Sequence, residues 1–183
     1  MQLFGNKAHL STWIENAKEG DRRAQKAIYD ALSGKMFAVC LRYMSDRTSA
    51  EDVLQEGFVT LFAKLDTYSG EGSFEGWARK IFVNTALMTL RKNDVLKDST
   101  EVETAWNVSA DTPSALQDLG YQEISRMIAE LPAGFRTVFN MYVVEGYSHA
   151  EIAEELGISE ATSRSQLLRA RALLQAKIKE TIK

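Results

Sequence analysis

The stretch "SRSQLLRAR", residues 163–171, holds three arginines, two serines and a leucine pair within nine positions. Its surroundings are as telling: from Ala161 to Lys179 there is no carboxylate, while Arg164, Arg169, Arg171, Lys177 and Lys179 all fall there. Guanidinium forks match guanine edges and phosphates, a hydroxyl is a short adaptable partner, and an exposed leucine suits a thymine methyl. At helical spacing, about 100° per residue, Leu167, Ala170, Leu174 and Ile178 fall within about 80° of one another and are expected to face a core. Arg164, Ser165, Leu168 and Arg169 then cover the opposite sector, with Arg171 toward its edge. The plain alternative is a solvated amphipathic helix.

Two further groups of residues could do chemistry of recognition. In "SAEDVLQEGFVTLFAKLDTY", Leu54, Gly57, Phe58, Leu61 and Leu65 form an apolar stripe and Ser49 is expected to cap the helix. On the other face Asp52 and Glu56 stand four apart with the same sign, a mildly unfavourable choice for an isolated helix, and Val59 and Ala63 continue the line. Acidic groups beside apolar surface suit a basic partner; Asp52 could also simply favour the positive helix start. In "DTYSGEGSFEGWARKIFVNTALMTLRK", Trp77, Ile81, Thr85 and Met88 are expected to point inward, with Lys80, Asn84, Leu87 and Arg91 as a stripe beside them. Tyr68, Phe74 and Trp77 near Arg79 and Lys80 combine stacking surface with positive charge, as single-stranded DNA binding requires, although most aromatics so spaced are core.

The elements that must position these residues are helical throughout. Apolar residues recur at helical period along the chain, and no alternating strand pattern bounded by turns is evident, so the fold expected is all-α. The period weakens across "NDVLKDSTEVETAWNVSADTPSALQD" and resumes near Leu119, giving two small helical domains over 8–93 and 117–180 and an acidic tether over 94–116 carrying Asp94, Asp98, Glu101, Glu103 and Asp111. In the second domain Pro132 suits a first helical turn and Gly146 a stop. Ser148 with Glu151 forms an S-x-x-E capping box, Gly157 supplies a tight turn and Ser159 caps the next helix. Two short helices joined by a glycine turn make a helix-turn-helix, whose second helix can enter a DNA major groove.

Composition narrows the function. The chain has 183 residues, 45% of them hydrophobic, and a net charge of −3, which argues against a protein that coats nucleic acid non-specifically. Any nucleic-acid contact must be local. No apolar run is long enough to span a bilayer and "MQLFGNKAHL" lacks the pattern of a secretory signal, which points to the cytoplasm. The single cysteine, Cys40, sits in the apolar run "MFAVCL" and is expected to be buried and structural. Two histidines give no metal-site spacing, and there is no glycine-rich phosphate loop or nucleophile with a paired base, so no catalytic residue, metal or cofactor is expected and the chain is not read as an enzyme.

The segments "EDVLQEGFVTLFAKLDTYSGEGSFEGWARKIFVNTALMTLRK" and "LPAGFRTVFNMYVVEGYSHAEIAEELGISEATSRSQLLRARALL" together resemble the bacterial extracytoplasmic-function (ECF) sigma factors of RNA polymerase, in the family's order and spacing. The resemblance implies sigma region 2 followed by region 4, binding to core RNA polymerase and promoter-directed initiation. It implies that Asp52, Gln55, Glu56 and Val59 lie on the surface that docks on the clamp helices of the largest subunit. It implies that the loop from Asp66 to Ser73, with Lys64, Tyr68, Ser69, Lys80 and Asn84, reads and opens the minus-10 element. Arg164, Ser165, Leu168, Arg169 and Arg171 match the face that reads the minus-35 element. The family's linker threads the polymerase, so the acidic tether here suits a mimic of nucleic acid. The family also pairs commonly with a membrane-linked anti-sigma factor, and no small-molecule substrate is implied. Two positions depart from the pattern: Ser163 stands where relatives often carry an apolar residue, and Gln166 where they often carry a basic one. A stand-alone helix-turn-helix regulator, or a sigma mimic that titrates an anti-sigma factor, would share the second domain; the regulator leaves the Asp52 and Glu56 face unused, and the mimic has no need of an acid-free arginine face.

Overall fold

A computed structural model of the chain describes residues 7–44, 46–92 and 117–181. These form eight α-helices: α1 (Lys7–Lys18), α2 (Arg22–Tyr43), α3 (Arg47–Ala63), α4 (Phe74–Lys92), α5 (Gln117–Ala129), α6 (Ala133–Phe139), α7 (His149–Leu156) and α8 (Glu160–Thr181). A 3-10 turn, Leu65–Thr67, follows α3, and a π-helical turn, Asn140–Val144, prolongs α6. The all-helical expectation holds for the described residues. The tether, with Asp94, Asp98, Glu101, Glu103 and Asp111, lies outside them. The chain divides into two compact units, the first drawn mainly from α1–α4 and the second mainly from α5–α8.

In the first unit α2 supplies a long buried stripe, Ile28, Leu32, Met36 and Val39, repeating every three or four residues. Cys40 continues it and is fully buried, as its apolar setting predicts. From α3 come Val53, Phe58 and Leu61, and Leu65 enters from the 3-10 turn. Gly57 has a steric reason: a Cβ there would lie 2.4 Å from two ring carbons of Phe82 on α4. The missing side chain lets the two helices approach, and Phe58 meets the Phe82 ring edge-on at 5.0 Å between centroids. A salt bridge of 2.5 Å between Lys35 of α2 and Glu75 of α4 closes the outer side.

Two sequence expectations fail in this unit. Helix α3 begins at Arg47, two residues before Ser49, so Ser49 lies inside the first turn rather than capping it. On α4 the buried residues are Phe74, Ala78, Phe82, Val83, Ala86, Leu87 and Leu90, with Thr85 beside them, whereas Met88 is 65% exposed. The inward face is therefore rotated from the expected one, and Leu87 belongs to the core. Aromatic mass decides it: Phe82 fills the space left by Gly57, and the helix turns to bury that ring.

In the second unit Leu131, Ala170 and Leu174 form a core to which Met127, Ile128, Phe135 and Phe139 add partly buried surface. Helices α6 and α7 both pack on α8. Pro132 occupies the N-cap of α6 and Gly146 has φ of +80°, in line with their expected roles. Arg136 is 4% exposed and donates to the carbonyls of Ala129 and Leu131, at 2.7 and 3.2 Å, at the C-terminal end of α5. Burial pulls its pKa down to about 10, so it remains a cation at neutral pH and complements the negative helix end.

Candidate nucleic-acid interface

The helix-turn-helix is built by local chemistry. Ser148 accepts from the Glu151 amide at 3.2 Å, and the Glu151 carboxylate accepts from the Ser148 amide at 2.8 Å. This reciprocal box opens α7. Gly157 ends it at φ +64°, a left-handed conformation that glycine adopts without steric cost. Ser159 then accepts from the Thr162 amide at 3.0 Å and starts α8.

Along α8 the burial follows the expected wheel. Leu167, Ala170 and Leu174 are buried, while Arg164, Ser165, Leu168, Arg169 and Arg171 are all exposed, Leu168 at 71%. Ile178, near the C-terminal end of this helix of 22 residues, departs from the expectation at 37% exposed. The outward side thus presents three guanidinium groups, a hydroxyl and an apolar side chain on one rigid rod.

Neighbours refine the arginines. Arg164 pairs with Glu160 one turn earlier at 2.5 Å, a carboxylate lying just before the acid-free run. One carboxylate engages part of the fork, and the remaining donors of the five stay available for a base edge. The Arg171 guanidinium lies over the Tyr142 ring, 5.9 Å from its centroid. Tyr142 also stacks on His149 at 4.5 Å, and His149 Nδ1 shares a hydrogen bond of 2.8 Å with the fully buried Ser163 hydroxyl. In the sequence Ser163 stood out only as a departure from the resembled family's apolar residue, and its partner was not foreseen, because the pairing joins positions fourteen residues apart.

In the first unit Asp52, Gln55, Glu56 and Val59 share the exposed face of α3, with Val59 at 71%. An acidic strip next to an uncovered apolar side chain is complementary to basic, partly apolar surfaces. The loop between α3 and α4 carries Ser69 exposed and Tyr68 half-buried, with Gly70 and Gly72 both at positive φ. Tyr68 donates its hydroxyl to the Gly72 carbonyl at 3.1 Å, and its ring lies 5.1 Å from Phe74 and 5.3 Å from Trp77. Phe74 is buried, so the aromatic trio is a small core that shapes the loop, with only Tyr68 and Trp77 partly open. Glu75 lies 3.9 Å from Arg79, which moderates that charge. Lys64, Lys80 and Asn84 are exposed, the last two one turn apart on α4. Among the described residues no group of three or more His, Cys, Asp or Glu side chains is placed to hold a metal ion.

A helical unit with an exposed acidic-apolar face, followed in the chain by a helix-turn-helix with an exposed arginine face, is the architecture of a two-domain DNA-binding protein. Two family descriptions match it: Sigma-70 region 2 over residues 28–95 and Sigma-70, region 4 over residues 121–174. The chain is 27% identical over 176 residues to the ECF RNA polymerase sigma-E factor of Haemophilus influenzae, covering 90% of this chain and 93% of that protein. It is 25% identical over 181 residues to the sigma-E factor of Escherichia coli, covering 93% and 94%. The fold resembles the sigma factor RpoE of Bartonella quintana, solved with the anti-sigma factor NepR, at a TM-score of 0.55 and 21% identity, over 84% of this chain and 96% of that one. The chain belongs to the ECF sigma factors, which bind core RNA polymerase and direct promoter-specific transcription initiation.

Proposed function

We propose that the three surfaces divide the work of initiation. The outward face of α8 reads the minus-35 element, with Arg164, Ser165, Leu168 and Arg169 toward base edges and Arg171 toward phosphate. The loop after α3, with Lys64, Tyr68, Ser69, Lys80 and Asn84, engages and opens the minus-10 element. The Asp52, Gln55, Glu56 and Val59 face of α3 docks on the largest-subunit clamp helices of core polymerase. In domain terms, region 2 runs over 8–93, the acidic linker over 94–116 and region 4 over 117–180. The observation that carries this reading is the acid-free, exposed arginine face of α8 on a helix-turn-helix fixed by a capping box and a glycine turn.

The protein performs no bond chemistry of its own; polymerase supplies it. It works in the cytoplasm, where its DNA is; among the described residues no helix is long and apolar enough to cross a membrane. Its partners are core polymerase, promoter DNA and an anti-sigma factor, of which the Bartonella quintana complex offers an example. The test is reconstitution: purified core polymerase with this chain should transcribe a cognate promoter fragment, and core alone should not. Equal output with and without the chain would remove the reading.

A further inference from the structure

Helix α8 is tied at two points to residues that precede it. Near its start, the buried Ser163 hydroxyl meets His149 Nδ1 at 2.8 Å; near its middle, Arg171 rests over the Tyr142 ring at 5.9 Å. His149 and Tyr142 stack on each other with centroids 4.5 Å apart and planes 22° apart. The four side chains therefore make one continuous bracket, Ser163 to His149 to Tyr142 to Arg171, which spans the reading segment of α8 from one side. Tyr142 lies within the π-helical turn, where the Glu145 amide donates to the Asn140 carbonyl at 3.0 Å. A π turn inserts one extra residue, and the chain beyond it is rotated by about 100° relative to an uninterrupted helix. Such a turn costs hydrogen-bond quality and recurs where geometry matters to function.

We propose that His149 and Tyr142 are positioning residues for base reading: through Ser163 they fix the rotation of α8 about its own axis, and through the Tyr142 ring they fix the reach of Arg171. This rests on the assignment of α8 as the minus-35 reader and adds to it the device that aims the reader. The physics is direct. Arg164 and Ser165 immediately follow Ser163, so any rotation at that position moves both off a base edge. A hydrogen bond between His149 and the buried Ser163 hydroxyl resists such a rotation, because leaving the hydroxyl unpaired is unfavourable. Hydrophobic contacts at Leu167 and Ala170 hold the helix down without setting its angle as sharply, since apolar burial is non-directional. The bracket also explains a serine on the core side of a recognition helix.

The test uses the full chain with core polymerase on a library of single-base minus-35 variants, with thermal melting measured in parallel. The double variant His149→Phe with Ser163→Ala removes donor and acceptor together while keeping a ring on Tyr142, so nothing is left unsatisfied and melting should stay close to the parent. Its preference at the base pairs read by Arg164 and Ser165 should nevertheless fall about threefold or more. His149→Asn places an amide where Nδ1 stood and should keep preference within about twofold. Tyr142→Leu leaves the hydrogen bond and should lower output from every minus-35 variant about as far as Arg171→Ala does. Parent-like preference in the double variant, a loss in His149→Asn equal to that in the double variant, or unchanged output in Tyr142→Leu would overturn the proposal. Should the double variant melt far below the parent, Tyr142→Leu and His149→Asn, each leaving Ser163 in place, decide it. Arg164→Ala and Arg169→Ala in the same library separate the two levels: if these flatten preference and the bracket variants do not, only the bracket falls, and if these also leave it unchanged, α8 is not the reader.

Discussion

Three arginines on one helix differ in what surrounds each of them. Arg164 is aligned by Glu160, Arg171 is held over Tyr142, and Arg169 stands between them on the open face. An arginine on a guanine edge discriminates against a wrong base by about 1–3 kcal/mol, whereas one on a phosphate weakens all sequences alike and lowers the salt dependence by about one ion. Arg169→Ala should therefore cut transcription from the cognate minus-35 sequence by about tenfold or more and flatten preference at one or two base pairs. Arg171→Ala should weaken every variant similarly. A minus-35 library transcribed at two salt concentrations reads both effects, and equal flattening by both variants would mean that the two arginines share one role. In the first unit, Asn84 is exposed and Tyr68 shapes the loop through its bond to Gly72. Asn84→Ala should impair duplex promoters more than promoters already mismatched at minus 10, since unstacking costs a few kcal/mol only where bases are paired. Equal losses on both templates would point to a folding role.

At the scale of elements, the approach of α3 to α4 is the most demanding contact in the first unit. Gly57→Ala would place a methyl 2.4 Å from the Phe82 ring, which is fully buried, so that the ring or the helix must shift. The gain of about 1 kcal/mol in helix propensity is outweighed by overpacking of about 1–3 kcal/mol, so denaturant unfolding should show a net loss of about 1 kcal/mol. A gain would mean that the ring moves freely. The outer face of α3 behaves differently. Asp52→Lys with Glu56→Lys changes exposed groups only, so circular dichroism should be unchanged, while gel filtration should show loss of the complex with core polymerase. Legibility in the sequence divides along the same line. Caps and turns were readable at Ser148, Glu151, Gly157 and Ser159 because each acts within a few residues, and the α8 wheel was readable because its polar and apolar sectors are cleanly separated. The α4 face was not, because Leu87 and Met88 are both apolar and their sorting depends on Phe82 packing over Gly57. The His149 and Ser163 pair was not, because a polar residue on a buried face announces a missing partner without naming it.

At the scale of the whole molecule, charge separates a sigma factor from a regulator that binds DNA unaided. The chain carries 22 basic and 25 acidic residues, so its average field repels DNA, and attraction must be local, as at the arginine face of α8 and at the exposed Lys64 and Lys80. Binding by a few phosphate contacts releases few counterions, and non-specific affinity falls as roughly the 0.9 power of salt per phosphate neutralised. Each half-site alone is therefore weak, and two weak readers become effective only when a common body holds them at fixed separation, so that the second contact is intramolecular. Core polymerase is that body, and the proposed route to it is the acidic face of α3. The isolated chain should show no specific retention of a cognate promoter fragment at physiological salt in a mobility-shift assay, whereas the complex with core polymerase should retain it and lose it on Asp52→Lys with Glu56→Lys. Tight, sequence-specific binding by the isolated chain at that salt would show that α8 suffices by itself, and would place the protein with stand-alone helix-turn-helix regulators.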